Sequence, residues 1–356
     1  MDSMNRQGKS KIVYVGMSGG VDSSVAAALL KKAGFDVTGV FMKPWQPKTG
    51  SFCLWKEDRE DAMRSASALG IPLKTWDFSK QYKKSVTDYM IREYKVGRTP
   101  NPDVMCNKEI KFGLFLKRAL KEGADYIATG HYIERKGEKL LQGKDTNKDQ
   151  SYFLWTLTPE QIKYSLFPVG GLTKPEVRKL AKKFRLPNHA KKDSQGVCFI
   201  GPLDMKEFLL TYIKPKKGKI ILMSGPSFAK ASEGEEIGTH DGVYYYTLGQ
   251  RHGLDIKLGG GPYYVVAKDI NKNVIYVGTN AEVVMKNTRV EEFNWINPPK
   301  FPMNVDVKVR YRTPSVKAVL NKTGELTFKK PERAVTPGQS AVFYRGKELI
   351  GGGIIQ

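Results

Sequence analysis

The sequence predicts an α/β protein: an N-terminal domain on a parallel sheet, then a small central, mostly β domain, then a C-terminal β-barrel. Three observations predict it. A β-branched run, Val13-Tyr14-Val15, breaks at Ser18-Gly19-Gly20 and passes at once into the helical segment Val21 to Leu30. Strand and helix patterns then alternate as βαβ units require. Beyond Pro202 the texture changes to short strands divided by Gly/Pro turns. The expected domains are therefore 1–202, 203–280 and 281–356.

The opening unit reads as strand, loop and helix. Its loop N–H groups and the helix N-terminus converge on one spot, where unpaired donors and the helix dipole favour an anion. Gly19 and Gly20 let the main chain approach that anion, Ser18, Ser23 and Ser24 supply hydroxyls, and Asp22 can hold a magnesium ion. A Gly/Ser turn that merely joins strand to helix is the plainer alternative, but the string Ser18 to Ser23 in this setting is far more specific than a double glycine. The loop contains no Gly-Lys-Ser/Thr, which excludes the P-loop of kinases and GTPases.

Asp36 to Met42 follows as a second strand, Lys43 to Leu54 as a loop, Glu57 to Leu69 as a helix and Pro72 to Phe78 as a third strand. Ser79 to Tyr94 reads as an amphipathic helix, with Tyr82, Val86, Tyr89, Met90 and Tyr94 near helical spacing. Ligands of such sheets sit outside the carboxyl ends of the strands, where the opening loop lies. Met42, closing the second strand, is placed either to pack on an adenine or to fill the core.

Between Gly97 and Gly113, Pro100 and Pro102 keep the approach from being helical, and Asn107 reads as the N-cap of a helix to about Leu120. Cys106 then stands just before a helix N-terminus, where the dipole, Lys108 and Lys111 favour the thiolate. A buried cysteine that starts a helix is the ordinary reading; the Pro-x-Pro frame and the neighbouring Asp103 point to chemistry. Ala124 to Tyr132 reads as a strand whose end, with Gly130, again faces the side of the opening loop, and His131 reads more readily as structural than as a base. Lys148, Asp149 and Gln150, in a polar loop before Ser151 to Trp155, can meet a sugar-phosphate backbone or form a solvated turn.

Thr173-Lys174-Pro175-Glu176 reads as a capped start of a helix to about Phe184. From Lys174 to Lys192 there are eight Lys or Arg against one acid, Glu176, a stripe that can track phosphates or be a solvated face. Asp193 to Pro202 follows, with Cys198 in a Gly-bracketed loop. Past Pro202 a helix, Asp204 to Ile213, leads into strands at Gly218 to Met223, Val243 to Leu248, Tyr263 to Ala267 and Val274 to Val277. Gly249 to Leu254 reads as a polar loop whose Arg251 and His252 can approach RNA. From about Glu282, strands such as Asn304 to Tyr311, Lys317 to Leu320, Glu325 to Phe328 and Ser340 to Arg345 recur at the even spacing of a small barrel. Arg310-Tyr311-Arg312 alternates cation and aromatic as a nucleic-acid surface does, and as a half-buried edge strand also does.

The 356 residues include 59 Lys and Arg against 36 Asp and Glu, a formal charge of +23. That field suits a polyanion, with nucleic acid the leading candidate, although a lysine-rich proteome produces basic surfaces without one. No apolar run approaches the ~20 residues that cross a bilayer, so no membrane partner is expected. Met1 to Lys11 is polar and does not read as a signal peptide. Three cysteines without a Cys-x-x-Cys pair make no disulfide scaffold, which points to a reducing, cytoplasmic compartment.

Ser18 to Ser23 resembles the SGGxDS pyrophosphate-binding loop of the ATP pyrophosphatases, which split ATP between the α and β phosphates and adenylate an acceptor. Taken whole, the chain resembles the tRNA-specific 2-thiouridylases. The resemblance lies in GMSGGVDSSVAA at Gly16 to Ala27, GRTPNPDVMCNKEIKFG at Gly97 to Gly113 and ATGHY at Ala128 to Tyr132. It continues in KDQSYFL at Lys148 to Leu154, DSQGVCFIG at Asp193 to Gly201 and LGQRHGL at Leu248 to Leu254.

The resemblance implies an adenine nucleotide α-hydrolase-like N-terminal domain. It also implies a sulfurtransferase that adenylates the C2 oxygen of the wobble uridine (U34) of tRNA and replaces it with sulfur, releasing AMP and pyrophosphate. ATP would be contacted by Gly16, Met17, Ser18, Gly19, Gly20, Val21, Asp22, Ser23, Met42 and Gly130, with Mg2+ at Asp22. Asn101, Pro102 and Asp103 would contact the target base, and Lys148, Asp149, Gln150, Arg310 and Tyr311 the rest of the tRNA. Cys198 would carry a persulfide, with Cys106 as its partner nucleophile and Asp103 as general acid/base. Sulfur would pass directly from the persulfide or as sulfide freed by Cys106. Either route leaves a Cys106–Cys198 disulfide, which needs the two Cα atoms within ~7 Å during turnover. The implied partners are the tRNA anticodon loop and a sulfur donor, a cysteine desulfurase or sulfur-relay protein. Cys53 matches no role. An ammonia-using synthetase of the same superfamily needs no paired cysteines. A non-catalytic tRNA-binding protein needs none of Asp103, Cys106 and Cys198.

Overall fold

The computed structural model describes residues 10–47, 54–193, 205–223, 234–259, 261–279 and 284–356. They divide into two units, one within 1–86, 103–202 and 347–350, the other within 87–102, 203–346 and 351–356.

In the first unit, β1 (Ile12–Gly16), β2 (Asp36–Lys43), β3 (Leu73–Asp77), β4 (Tyr126–Ala128) and β7 (Ser165–Leu166) form a sheet in the order β3-β2-β1-β4-β7. Every pairing in it is parallel. The inner strands are apolar along their length because helices cover both faces. α1 (Val21–Lys32) buries Ala26, Ala27 and Ala28, small residues that let it lie close to the sheet. On one side of α1, Ala27 and Leu30 join Val13, Val15, Phe41 and residues Ala62 and Ala66 of α2 (Leu54–Leu69). On the other, Val25 and Ala26 pack with Tyr132 and with Val177 and Ala181 of α8 (Lys174–Lys183). The Thr173 and Glu176 side chains cap α8 reciprocally, as the Thr-Lys-Pro-Glu string predicts.

Two helical stretches differ from the sequence reading. The segment expected as one helix from Ser79 comprises α3 (Ser79–Tyr82), a π-helical turn at Lys83–Thr87 and α4 (Asp88–Lys95). The helix expected after Asn107 begins earlier, as α5 (Pro102–Met105), runs through a π-helical stretch at Cys106–Phe115 and ends in α6 (Leu116–Lys121). Pro102 suits the first helical position, where its missing N–H costs nothing. A hairpin that the sequence pattern did not announce, β5 (Ile133–Lys136) and β6 (Lys139–Gln142), follows β4, and α7 (Pro159–Lys163) precedes β7.

In the second unit, α9 (Met205–Leu210) leads to β8 (Gly218–Leu222), β9 (Glu235–His240), β10 (Tyr264–Asp269) and β11 (Val274–Gly278), ordered β10-β11-β8-β9. The strand expected at Val243 to Leu248 is instead a 3₁₀ turn at Val243–Tyr245 followed by loop. Gly242, at φ +147°, turns the chain there, and Val243 N–H donates to Asn273 Oδ1 at 3.1 Å instead of to a strand. The last strands are β12 (Val284–Trp295), β13 (Met303–Lys308), β14 (Val316–Leu320), β15 (Glu325–Arg333), β16 (Ser340–Arg345) and β17 (Glu348–Ile355). They follow the order β12-β15-β14-β13-β16-β17, and antiparallel pairing of β17 with β12 closes the barrel. β13 stops at Lys308, short of the expected Tyr311, because the chain turns at Arg310 to Thr313 with Arg312 at φ +63°. Among the described residues no helix is long and apolar enough to cross a membrane.

Candidate active site

The chain leaves β1 for β2 and β3 on one side and returns to β4 and β7 on the other. The crevice beyond the carboxyl ends of β1 and β4 is therefore the topological switch point of the sheet, where ligands of open α/β folds bind. Met17 to Gly20 leave β1 there, and Thr129 and Gly130 leave β4. Gly19 has φ +78°, and a Cβ on it would lie 2.2 Å from the Asp58 carbonyl oxygen, so only glycine fits. Ser23 Oγ accepts from Ser18 N–H at 3.2 Å and donates to the Gly20 carbonyl at 3.1 Å, closing the loop on itself. Asn188 Nδ2 holds it from outside, donating to the Gly19 carbonyl at 2.9 Å and to Ser24 Oγ at 3.0 Å.

The first-turn N–H groups of Val21, Asp22 and Ser23 have no acceptor within the helix. Gly130 presses on that turn: a Cβ there would lie 2.6 Å from Ser23 N and 2.7 Å from Asp22 C. Met42 brings its methyl group to 3.0 Å from where a Gly16 Cβ would be. The structure thus brings Gly16 to Ser23, Met42 and Gly130 to one end of the sheet.

Asp22 Oδ1 accepts from Tyr132 Oη and from Lys174 Nζ, both at 2.7 Å. Lys174 Nζ also lies 2.7 Å from Asp193 Oδ1, and Asp193 meets Lys148 Nζ at 2.5 Å and Arg178 Nη2 at 3.2 Å. Burial works to raise the Asp193 carboxyl, but the Lys148 and Lys174 ammoniums outweigh it and hold the pKa at about 2. Burial, reinforced by the Asp22 carboxylate, pushes the Tyr132 hydroxyl well up, so it stays a donor. Sequence reasoning passed over Lys174 as one member of a basic stripe. A lysine in the first turn of a helix opposes the dipole, and that misfit was the available signal of an anion beside it. Lys191 is likewise engaged, with Asp58 at 2.7 Å and Asp61 at 2.6 Å, whereas Lys179, Lys182, Lys183, Arg185 and Lys192 are exposed. Among the described residues no cluster of three His, Cys, Asp or Glu forms a metal site. Asp22 offers a single carboxylate, which suits Mg2+ only where substrate phosphates and water complete the octahedron.

Cys106 is buried inside the helical run, beyond its first turn, so the helix-start argument for its thiolate does not apply. Asn107 does not cap: its Nδ2 donates to the Phe153 carbonyl at 3.1 Å, fastening the π-helical stretch to the Ser151–Phe153 turn. Gln161 Nε2 takes up the Phe112 carbonyl at 3.0 Å. Burial pushes the Asp103 carboxyl up, against the pull of Lys111. His131 is buried, held far below the usual imidazole range by that burial and by Lys111, and bonded through Nδ1 to Thr129 Oγ1 at 2.8 Å. Neutral and enclosed, it has the structural character expected of it.

Asp149 is buried and accepts from the N–H groups of Gly143 and Ser151, both at 3.1 Å, and from Ser151 Oγ at 2.9 Å. Gln150 pairs with Tyr132, its N–H donating to the Tyr132 carbonyl and its Oε1 accepting from Tyr132 N–H, both at 3.0 Å. In the other unit Arg310 Nη2 donates to the Leu248 carbonyl at 2.8 Å, and Tyr311, half-buried, lies under the Arg312 guanidinium at 5.2 Å. Cys198 and Cys53 lie outside the described residues.

A parallel sheet with a Ser/Gly loop and a helix N-terminus at its switch point, followed by two β regions, defines a nucleotide-binding α/β protein with β appendages. Residues 11–202 match the family described as tRNA methyl transferase HUP domain. Residues 206–279 match the tRNA methyl transferase PRC-barrel domain, and 285–355 the aminomethyltransferase beta-barrel domain. Over 99% of its length the chain is 48% identical to tRNA-specific 2-thiouridylase MnmA 2 of Geobacillus kaustophilus, covering 96% of that protein. It is 47% identical to the 2-thiouridylase MnmA of Geobacillus thermodenitrificans, over 99% of this chain and 96% of the other. With that of Shewanella amazonensis it shares 48% identity, over 97% of this chain and 94% of the other. The chain belongs to the tRNA-specific 2-thiouridylase family.

Proposed function

We propose that the chain catalyses ATP-dependent 2-thiolation of the wobble uridine (U34) of tRNA. The observation that carries this reading is the loop Ser18 to Ser23, self-closed by Ser23 and pressed by Gly130 at the switch point, in a chain whose relatives are named 2-thiouridylases. A uridine C2 oxygen is a poor leaving group. The C2 oxygen attacks the α phosphorus of ATP, the bond to the β phosphate breaks and pyrophosphate leaves. The loop N–H groups and the Ser18 hydroxyl hold the phosphates, and Lys174 stands beside them. Asp22 would hold a Mg2+ ion, which supplies charge neutralisation to the leaving pyrophosphate.

Sulfur comes from a persulfide on Cys198. Its outer sulfur bonds to C2 as AMP departs, and the Cys106 thiolate attacks Cys198 Sγ. The two cysteines end as a disulfide and the transferred sulfur, reduced by two electrons, stays on C2. The release of free sulfide by the same Cys106 attack balances identically. A thiol reductant must then reopen the disulfide. Asp103, its carboxyl raised by burial, exchanges the proton. Asn101, Pro102 and Asp103 contact the base, while Lys148, Asp149, Gln150, Arg310 and Tyr311 contact the tRNA. The domains on this reading are 1–202, 203–280 and 281–356. The setting is cytoplasmic, where tRNA and a cysteine desulfurase or relay protein are at hand.

The test incubates the protein with ATP, Mg2+, a persulfide donor and unmodified tRNA, then digests the tRNA and identifies its nucleosides by mass spectrometry. ATP-dependent 2-thiouridine is expected. A methylated nucleoside without sulfur, as the family description would suggest, overturns the reading.

A further inference from the structure

The string LGQRHGL at Leu248 to Leu254 finds no task in the chemistry above, yet through Gln250 it braces Thr247, whose hydroxyl meets Thr99 in the chain that leads into Asn101-Pro102. We infer that this loop, with Thr247 and Lys268, is a bracket that seats the segment Gly97 to Pro100, making Lys268 a positioning residue for recognition of the target base. The inference rests on the reading that Asn101 and Pro102 contact that base.

The segment is fastened at successive residues within one unit. Gly97 has φ +77°, and a Cβ there would lie 2.1 Å from Ile270 Cδ1, so the chain runs flush against the turn after β10. Lys268 Nζ donates to the Gly97 carbonyl at 2.6 Å and to the Tyr246 carbonyl at 2.7 Å, tying the segment to the residue before Thr247. Thr247 Oγ1 lies 3.1 Å from Thr99 Oγ1, and Thr99 N–H donates to the Pro337 carbonyl at 2.9 Å. Burial lowers the Lys268 pKa to about 8, the mark of an ammonium costly to bury without acceptors such as these two carbonyls.

The loop behind Thr247 is itself braced. Gln250 Oε1 accepts from Thr247 N–H at 3.0 Å, and the Gln250 carbonyl accepts from Val265 N–H at 3.0 Å. Gly249 N–H donates to the Val265 carbonyl at 2.8 Å, and Arg310 holds the Leu248 carbonyl at 2.8 Å. A small displacement of a base-contacting loop is costly, since a misplacement of about 1 Å can lower a rate about 100-fold.

The test measures the rate of 2-thiouridine formation at saturating ATP and tRNA, and the tRNA dissociation constant, for the full-length chain and its variants. Lys268→Met is expected to slow the reaction about tenfold or more while tRNA affinity changes less than about threefold. Lys268→Gln, which keeps two N–H donors, is expected to recover most of the rate. The double variant Thr247→Val/Lys268→Met should lose less than the product of the two single losses, because both act on one segment. A wild-type rate in Lys268→Met overturns the inference, as does a loss that follows tRNA affinity one for one. If Lys268→Met does not fold, Thr247→Val carries the test, expected about threefold slow, and a wild-type rate overturns the inference. Asn101→Ala separates the two levels. A wild-type rate there removes the base-contact reading, whereas a slow Asn101→Ala beside a fast Lys268→Met removes the bracket alone.

Discussion

Lys174 Nζ stands 2.7 Å from Asp22 Oδ1, a cation on α8 clamped to the loop helix α1. The same ammonium reaches Asp193 at 2.7 Å, and its side chain is only 11% exposed. Lys174→Met would leave two carboxylates facing each other across the gap with less compensation. Removing one partner of a mostly buried pair costs roughly 3 kcal/mol. Urea unfolding should show a loss of that order, and calorimetry should show weaker ATP binding. Unchanged stability and ATP affinity would mean that Lys174 is a bystander.

Asp193 gives a pH dependence whose sign is fixed by its pKa, lowered from 3.8 to about 2. A carboxylate depressed by folding stabilises the native state above its unfolded pKa. That contribution, at most about 2 kcal/mol, is complete above about pH 4 and is lost as pH falls towards 2. Asp193→Asn should therefore be less stable than the wild type at neutral pH, and the gap should close on acidification. A gap that stays constant between about pH 6 and 3 would refute the assignment.

The strand, loop and helix at Val13 to Leu30 were legible because every cue there is local: apolar strand, glycine turn, alanine-rich helix. Lys174 and Asn188 were not, because their partners are distant; 152 residues separate Lys174 from Asp22 and 169 separate Asn188 from Gly19. Asn107 had the residue type of a cap, but its amide is spent on Phe153, 46 residues further on. The barrel strands with apolar alternation were readable, whereas β12 is crowded with Lys286, Arg289, Glu291 and Glu292 and β17 contains Gly351-Gly352-Gly353. Those glycines weaken a strand in isolation. Here Gly351 and Gly353 are required by the close approach of β12, because a Cβ on Gly351 would lie 2.4 Å from the Asn294 carbonyl oxygen and one on Gly353 2.5 Å from Val290 Cγ1.

Gly130→Ala tests the contact between the end of β4 and the first turn of α1. Its methyl would meet backbone at 2.6 Å, and backbone cannot rotate aside as a side chain can. Overpacking of this kind costs about 1–3 kcal/mol, and the turn that must shift is the one proposed to present the phosphate donors. The expected outcome is a fold retained by circular dichroism with ATP affinity reduced about tenfold or more. Wild-type ATP affinity would place the nucleotide elsewhere.

Cys198→Ser separates activation from sulfur transfer. Serine cannot hold a persulfide, so no sulfur atom reaches C2 and no 2-thiouridine forms. The loop Ser18 to Ser23 does not depend on that thiol, so ATP is still cut at the α phosphate in the presence of tRNA and pyrophosphate still appears. Cys106→Ser should behave differently. It leaves Cys198 able to accept sulfur from the donor, and the transferred sulfur then stays bridged to the protein for want of the attacking thiolate. The first variant should release pyrophosphate without thiolation, and the second should also accumulate a tRNA adduct that a small thiol cleaves. Full thiolation by Cys198→Ser would end its assignment as sulfur carrier, and failure of both variants to release pyrophosphate would tie the cysteines to adenylation instead.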